Sequence, residues 1–471
     1  MRRVAIVSHY FPPSTMAGVH RARIMSAHLH RFGWKPTIFC VDERHHEQSL
    51  DPELAKLVPG HVEVRKVAAL PTGLTRCAGI GDIGIRSHHA MRAALLRYFR
   101  EEGGDLLFVT VPPGYGAMLA PAIRRRCRVP VVLDYRDPWV SKWGADQPRW
   151  SKAGLSHQLA VRLEPRALAH ADHVTGVSPG TCEGIRARHP RMPPENFSVL
   201  PIGAEPADFE YLRAHPRPWP AILGPRDQQL HLTQVGTLAP RAGGTLGALL
   251  AALAEVRRRE PSLARRLRVN FVGTSNRPDG VRDFKVIPVA RDMGVAEFVT
   301  EVPQRLPYLE ALNLLIQSDG LLALGSDEPH YTASRIFPHL LARRPLLGLY
   351  HTASSVCAIA AEAQEVTVIT HDHLQPPESH VSRVADVLEQ WLLRGRVADL
   401  PSRDARLQEH LSENIARGFA ALFDWVCVSF DKRCASEGKC GTYSRKRDSH
   451  CGRAPDHSRA NREGVNHVRS E

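Results

Sequence analysis

Residues 331–347 read Tyr331-Thr332-Ala333-Ser334-Arg335-Ile336-Phe337-Pro338-His339-Leu340-Leu341-Ala342-Arg343-Arg344-Pro345-Leu346-Leu347. The stretch predicts a loop, a helix opening at about Ser334, and a turn into an apolar strand at Leu346. A Ser at that position caps the helix, so the free N–H groups of the first turn point at whatever lies above. Those groups and the positive end of the helix dipole suit an anion, and Arg335 adds a cation with two-pronged phosphate geometry. The plainer reading is an ordinary αβ unit, many of which begin with Ser. On either reading the unit alternates helix with strand, and that alternation fills most of the chain.

Working outward, Val4–Ser8, Pro36–Val41, Leu106–Val111, Val129–Tyr135, His173–Val177 and Phe197–Leu200 read as short strands. Helical patterns such as His20–Phe32, His88–Arg100, Tyr115–Arg126 and His157–His170 lie between several of them. Apolar strands separated by helices predict a parallel sheet covered on both faces. One doubly wound α/β domain is expected over residues 1–205. Prolines 206, 216, 218, 220 and 225 crowd the next stretch, so residues 206–229 are expected to form an extended linker. The alternation restarts at Leu230–Val235 and continues to Val366–Ile369, giving a second doubly wound domain over 230–395. Each domain should carry its site at the carboxyl ends of its strands, and two in tandem can share a ligand in the cleft between them. A long amphipathic helix, about Ala405 to Val428, closes the folded part within 396–431. Residues 432–471 turn polar and basic without any period and are expected to be disordered. Their Cys and His spacings fit no structural zinc pattern.

At 471 residues, 43% hydrophobic and 24% charged, the chain is long enough for two cores. No run of about 18 apolar residues is present, so no helical membrane span is expected. The apolar core of Met1–Ser8 is too short for a signal peptide, and a first strand is the better reading. Nine scattered cysteines favour reduced thiols and a cytoplasmic setting. The net charge of +13 is uneven, with 28 Lys and Arg against 17 Asp and Glu in residues 1–200. A basic first half suits phosphorylated substrates or the anionic inner face of a membrane, and equally a solvated Arg-rich surface. No aromatic-interleaved basic stripe, helix-turn-helix or finger spacing accompanies it, which argues against nucleic acid.

Three more segments could carry chemistry. In Phe11-Pro12-Pro13-Ser14-Thr15-Met16-Ala17-Gly18-Val19-His20-Arg21, prolines stiffen the loop and Gly18 lets backbone approach a ligand. Arg21 falls in a first helical turn, against the dipole, so either an anion lies nearby or it is a surface Arg beside a tight turn. In Asp134-Tyr135-Arg136-Asp137-Pro138-Trp139, Arg136 could hold phosphate or hydroxyls of an acceptor and Asp137 could orient a hydroxyl or act as a base. The alternative is an Asp–Arg pair pinning the loop. In Val235-Gly236-Thr237-Leu238-Ala239-Pro240-Arg241, small residues admit a ligand and Arg241 offers a second phosphate cation, unless the segment is only a surface turn. No metal constellation, Ser–His–Asp spacing or Walker-type loop stands out.

In their shared order these segments, with Phe32-Gly33-Trp34-Lys35-Pro36-Thr37 and Ala171–Gly180, resemble glycosyltransferases of family 4 over about residues 1–395. The resemblance implies two Rossmann-like domains facing across a cleft, the GT-B arrangement. It implies a nucleotide-sugar donor held mainly by the second domain, with no further cofactor, and a glycan or lipid-linked acceptor held by the first. It also implies transfer with retention and without a metal, as in bacterial surface polysaccharide or glycolipid synthesis. Arg241, Arg335 and the Ser334 helix start would steady the leaving diphosphate beside Gly236, and Glu328 or Asp327 would stand for an upstream acidic residue. Gly18, Arg21 and Asp134 would lie on the acceptor side. The chain departs from the family at Pro338, where a Glu is usual, so a protein that binds nucleotide or glycan without turnover is the alternative. A nucleotide-sugar epimerase also uses two such domains, but its motifs are not evident.

Overall fold

The computed structural model describes residues 1–436 except 17, 78, 226, 239–240, 276–281, 328–333, 362, 364, 398–399 and 401–404. The first sheet contains β1 (Arg2–Val7), β2 (Trp34–Val41), β3 (Glu63–Val67), β4 (Leu106–Val111), β5 (Val131–Tyr135), β6 (His173–Gly176) and β7 (Phe197–Val199). Its strands are parallel in the order β3-β2-β1-β4-β5-β6-β7. The second contains β8 (Leu230–Val235), β9 (Leu267–Val272), β10 (Val299–Val302), β11 (Gly320–Leu324), β12 (Leu346–His351) and β13 (Val366–His371). It is parallel in the order β10-β9-β8-β11-β12-β13. These are two Rossmann-like domains, the GT-B arrangement. In each sheet the order reverses beside the first strand, between β1 and β4 and between β8 and β11. A crevice opens at such a switch point, and the loops after β1 and β8 leave directly into it.

Strand β3 escapes the apolar pattern because it is an edge strand with the sequence Glu63-Val64-Arg65-Lys66-Val67. Charges suit an edge whose outer rim faces water, and Arg65 pairs there with Glu63 and Glu102. The Pro-rich stretch also differs from the extended linker expected of it. It begins with the helix Pro206–Ala214, because Pro206 occupies the first helical turn, where its missing N–H costs nothing. The Glu205 side chain caps it by accepting from the Ala207 amide at 3.2 Å. Phe209 and Leu212 of this helix pack with Leu309, Leu312 and Leu315 of the second domain.

The closing helix spans Ser412–Ser436 and returns to the first domain. Phe419, Phe423 and Val426 fill one face of the first sheet against Val4, Ile6, Phe108 and Val132. The helix continues past Lys432, where the change to a disordered tail was expected, and Arg433 pairs with Asp172. The remainder of that tail, 437–471, lies outside the described residues. The chain thus crosses between domains twice, and the crossings are bonded to one another. The Ala204 amide donates to the His410 carbonyl at 3.0 Å, and the Ser412 amide donates to the Ala204 carbonyl at 2.8 Å. Gly203 makes this seam possible, with φ of +78° and the His410 carbonyl oxygen only 2.6 Å from where a Cβ would stand.

Gly203→Ala is expected to lower the unfolding free energy by about 1–3 kcal/mol, the usual cost of a strained backbone position. Urea denaturation measures it, and an unshifted midpoint would mean that the seam yields freely.

Candidate functional site

The loop after β1 delivers Gly18 to the start of the helix Val19–His28. A Cβ on Gly18 would stand 2.7 Å from the Arg136 guanidinium carbon, so glycine is what lets Arg136 lie across this loop. Arg136 follows β5, donates to the Pro112 carbonyl at 3.2 Å and is half-buried, with a buried Nε that has no hydrogen-bond partner among the described residues. Burial holds its pKa below the usual arginine value, with Asp137 and Asp134 opposing the shift. Asp137 is exposed beside it. Gly18 and Arg136, read from separate segments of the sequence, thus meet here, with Asp137 next to Arg136 in the chain.

Arg21 and Asp134 are different. Arg21 Nε and Nη2 donate to both oxygens of Asp134, at 3.0 and 2.7 Å. Its Nη1 donates to the Leu200 carbonyl at 2.7 Å and also to the Pro201 carbonyl. Asp134 further accepts from the Thr175 hydroxyl at 2.7 Å. Both side chains are buried. The Asp–Arg pair that pins the loop is therefore Arg21–Asp134, and an acceptor-side role for these two residues is replaced by a structural one. Three residues downstream of Gly18, a helix facing the core turns its first-turn Arg inward, where only a carboxylate can compensate it.

In the second domain Gly236 follows β8 with φ of +112°, a conformation that favours glycine. The Arg335 guanidinium lies 3.7 Å from its Cβ position and donates to the Thr237 carbonyl. Two segments about a hundred residues apart are brought together here. Arg241 is exposed with φ of +62°, and its carbonyl accepts from the Asp327 amide at 3.3 Å. Thr245 Oγ1 donates to the Gly325 carbonyl at 3.1 Å, tying the next helix to the end of β11.

The expected Ser334 cap is not formed. The helix spans Ile336–Leu341, Arg335 occupies the cap position, and among the described residues no side chain caps it. Ser334 stays in the preceding turn, exposed, because the Arg335 backbone is already helical. Pro338 is third in this short helix, where its N–H would have had no partner within the helix, so the proline is accommodated. His339 donates from Nδ1 to the Arg335 carbonyl at 2.6 Å and so fixes that residue from beneath. Glu328 lies outside the described residues.

Residues 6–203 match the family model described as glycosyl transferase 4-like domain. That match is confined to the first domain. Several solved structures share the two-domain fold. The N-terminal domain of Candida albicans trehalose-6-phosphate phosphatase aligns with a TM-score of 0.57 at 11% identity, covering 90% of this chain and 97% of its own. Trehalose-6-phosphate synthase OtsA aligns with a TM-score of 0.54 at 10% identity, covering 90% and 99%. Anabaena HepE, solved with UDP and glucose, aligns with a TM-score of 0.50 at 14% identity, covering 94% and 100%. At these identities the likeness is one of fold. Among curated proteins none matches the sequence.

The first domain is locked to the second by side chains that sequence reasoning missed. Arg23 is buried and paired with Asp208, its Nη1 donating to one oxygen at 2.8 Å. Tyr308, at the start of a second-domain helix, donates its hydroxyl to Asp208 at 2.7 Å. The His20 ring lies 4.3 Å from the Tyr308 ring, and burial followed by the Arg23 charge pushes its pKa down to about 3. Nothing local in the sequence marks this cluster, since its members come from three separate elements. His9, directly after β1, was also missed. It is buried, neither ring nitrogen is bonded among the described residues, and burial, then His88, lowers its pKa to about 4.

Arg21→Ala leaves Asp134 buried without its countercharge and is expected to cost about 3–5 kcal/mol in urea denaturation. An unaltered midpoint would return Arg21 to the list of ligand-contacting residues. A second expectation concerns pH. Burial holds both His9 and His339 at a pKa of about 4, against 6.5 for an ordinary histidine. Between those values the unfolded chain takes up protons that the fold refuses, so stability falls as pH falls from 6.5 to about 4. Each group contributes on the order of 1–2 kcal/mol by pH 5. Unfolding free energies at pH 7 and pH 5 measure the loss, which His339→Asn should reduce.

Proposed function

We propose that the protein is a glycosyltransferase that moves a sugar from a nucleoside-diphosphate sugar to a glycan or lipid-linked acceptor. We infer retention at the anomeric carbon, independence of metal, and a place in bacterial surface polysaccharide or glycolipid synthesis at the cytoplasmic face of the membrane. The observation that carries this reading is the Gly236–Arg335 contact at the β8 switch point, opposite a transferase-like first domain. A glycine backbone and a fixed guanidinium suit a diphosphate, whose charge grows as the bond from sugar to phosphate breaks. Arg241 and the Ser334 turn would add polar contacts from the same end of the sheet. Across the cleft, Arg136 would hold acceptor oxygens and Asp137 would orient the attacking hydroxyl or take its proton.

Pro338 favours a second reading, binding without turnover, because proline cannot accept a hydroxyl hydrogen bond as a Glu can. Thermal denaturation with UDP, GDP, ADP or TDP tests the shared part of both readings. A nucleotide at about 100 times its dissociation constant adds about 2.7 kcal/mol of stability, and one of the four is expected to do so. Arg335→Ala should weaken that nucleotide by about 1.5–3 kcal/mol, the worth of a hydrogen bond to a charged group. An unchanged dissociation constant removes Arg335 from the site. Sugar-dependent release of the nucleotide separates the readings, since turnover requires it and simple binding does not.

A further inference from the structure

The loop after β5 and the helix Lys152–Leu168 present an outward face with several exposed large apolar side chains. Trp150 is 84% exposed and Trp143 is 68% exposed, although indole rings on a protein surface usually find cover. The helix turns Ala160, Ala167 and Leu168 inward. Its outer side nevertheless carries exposed Leu155 and Leu159, four residues apart and so on one face. Lys152 and Arg162, each three residues beyond that pair, continue the same face, and both are exposed. Lys142 and Arg149 stand beside the two tryptophans, also exposed. Over residues 139–163 only Asp146 offsets these four cations.

We propose that this face docks on an anionic lipid bilayer. Tryptophan belongs at the boundary between headgroup and acyl chain, leucines enter just below it, and flanking Lys and Arg meet the lipid phosphates. A second copy of the chain fits less well, because a two-fold contact would bring these cations against their own kind. The face is seated on the site side of the first sheet. Tyr115, in the turn after β4, packs its ring 5.4 Å from Trp139 and places its hydroxyl 3.3 Å from Ser156 Oγ. The bilayer would therefore lie beside Asp137, and an acceptor carried in the leaflet would enter there. That last consequence rests on the transferase reading, whereas the docking itself does not.

Co-sedimentation of the full chain with vesicles tests the docking independently of any sugar chemistry. Binding is expected to vesicles of phosphatidylcholine mixed with phosphatidylglycerol, weak or absent with phosphatidylcholine alone, and reduced by salt. The pair Trp143→Ser with Trp150→Ser should lower the partition coefficient at least about tenfold. Lys142→Gln with Lys152→Gln should lower it on anionic vesicles only. Both pairs are exposed, so melting temperature should be unchanged, and quenching of wild-type fluorescence by brominated lipid reports the indoles directly. Absence of binding, or binding that neither pair alters, overturns the proposal. So does a wild-type dimer in sedimentation velocity that the tryptophan pair dissolves while vesicles go unbound, because the face then meets a second copy.

Discussion

Arg21 is the point from which the first domain is organised. A guanidinium removed from water must find its partners in the protein, because a buried charge left unpaired costs several kcal/mol. Asp134 at the end of β5 answers it with both oxygens, and Thr175 of β6 supports Asp134. The carbonyls of Leu200 and Pro201 take its remaining bonds just where the chain leaves for the second domain. On its other side the guanidinium carbon lies 4.7 Å from the Phe419 ring of the closing helix. One side chain therefore fixes the first helix, two strand ends, the outgoing crossing and the returning helix. Gly18 lies three residues before it, so the loop that faces Arg136 inherits its aim from this pair.

In the second domain the candidate residues are held through backbone carbonyls. Arg335 is gripped from two directions, through its guanidinium by Thr237 and through its carbonyl by His339. Between the domains, Arg23, Asp208 and Tyr308 form a buried polar cluster, and His28 bonds Glu205 at 2.7 Å beside it. The hydrophobic contacts of the linker helix belong to the second domain while Asp208, on the same helix, reaches Arg23 of the first. That helix is thus a joint shared by both bodies, and the hydrogen-bonded seam at Ala204 keeps the two crossings together.

Both sheets were legible in the sequence because their central strands are buried on both faces and read as unbroken apolar runs. The edge strand β3 was not, since water on its rim permits the charges of Glu63, Arg65 and Lys66. The linker helix was hidden by its prolines, of which only Pro206 enters the helix. Among the candidate site residues, Gly18, Arg136, Gly236 and Arg335 could be picked out because loop glycines and cations beside strand ends carry local signals. The Arg21–Asp134 pair was not, because its members are separated by 113 residues and only the fold brings them together. Ser334 misled for a related reason: a capping residue is recognised by its spacing, but here the helix begins two residues later.

On the function proposed above, a nucleoside diphosphate binds between the β8 loop and the Arg335 turn. Hydrogen–deuterium exchange of the full chain, with and without the stabilising nucleotide, tests it most directly. Slowed exchange is expected in residues 235–238 and 334–342, with the Arg21 helix unchanged because it is already buried. Protection confined to the first domain, or an exchange pattern that nucleotide leaves unaltered, would contradict it.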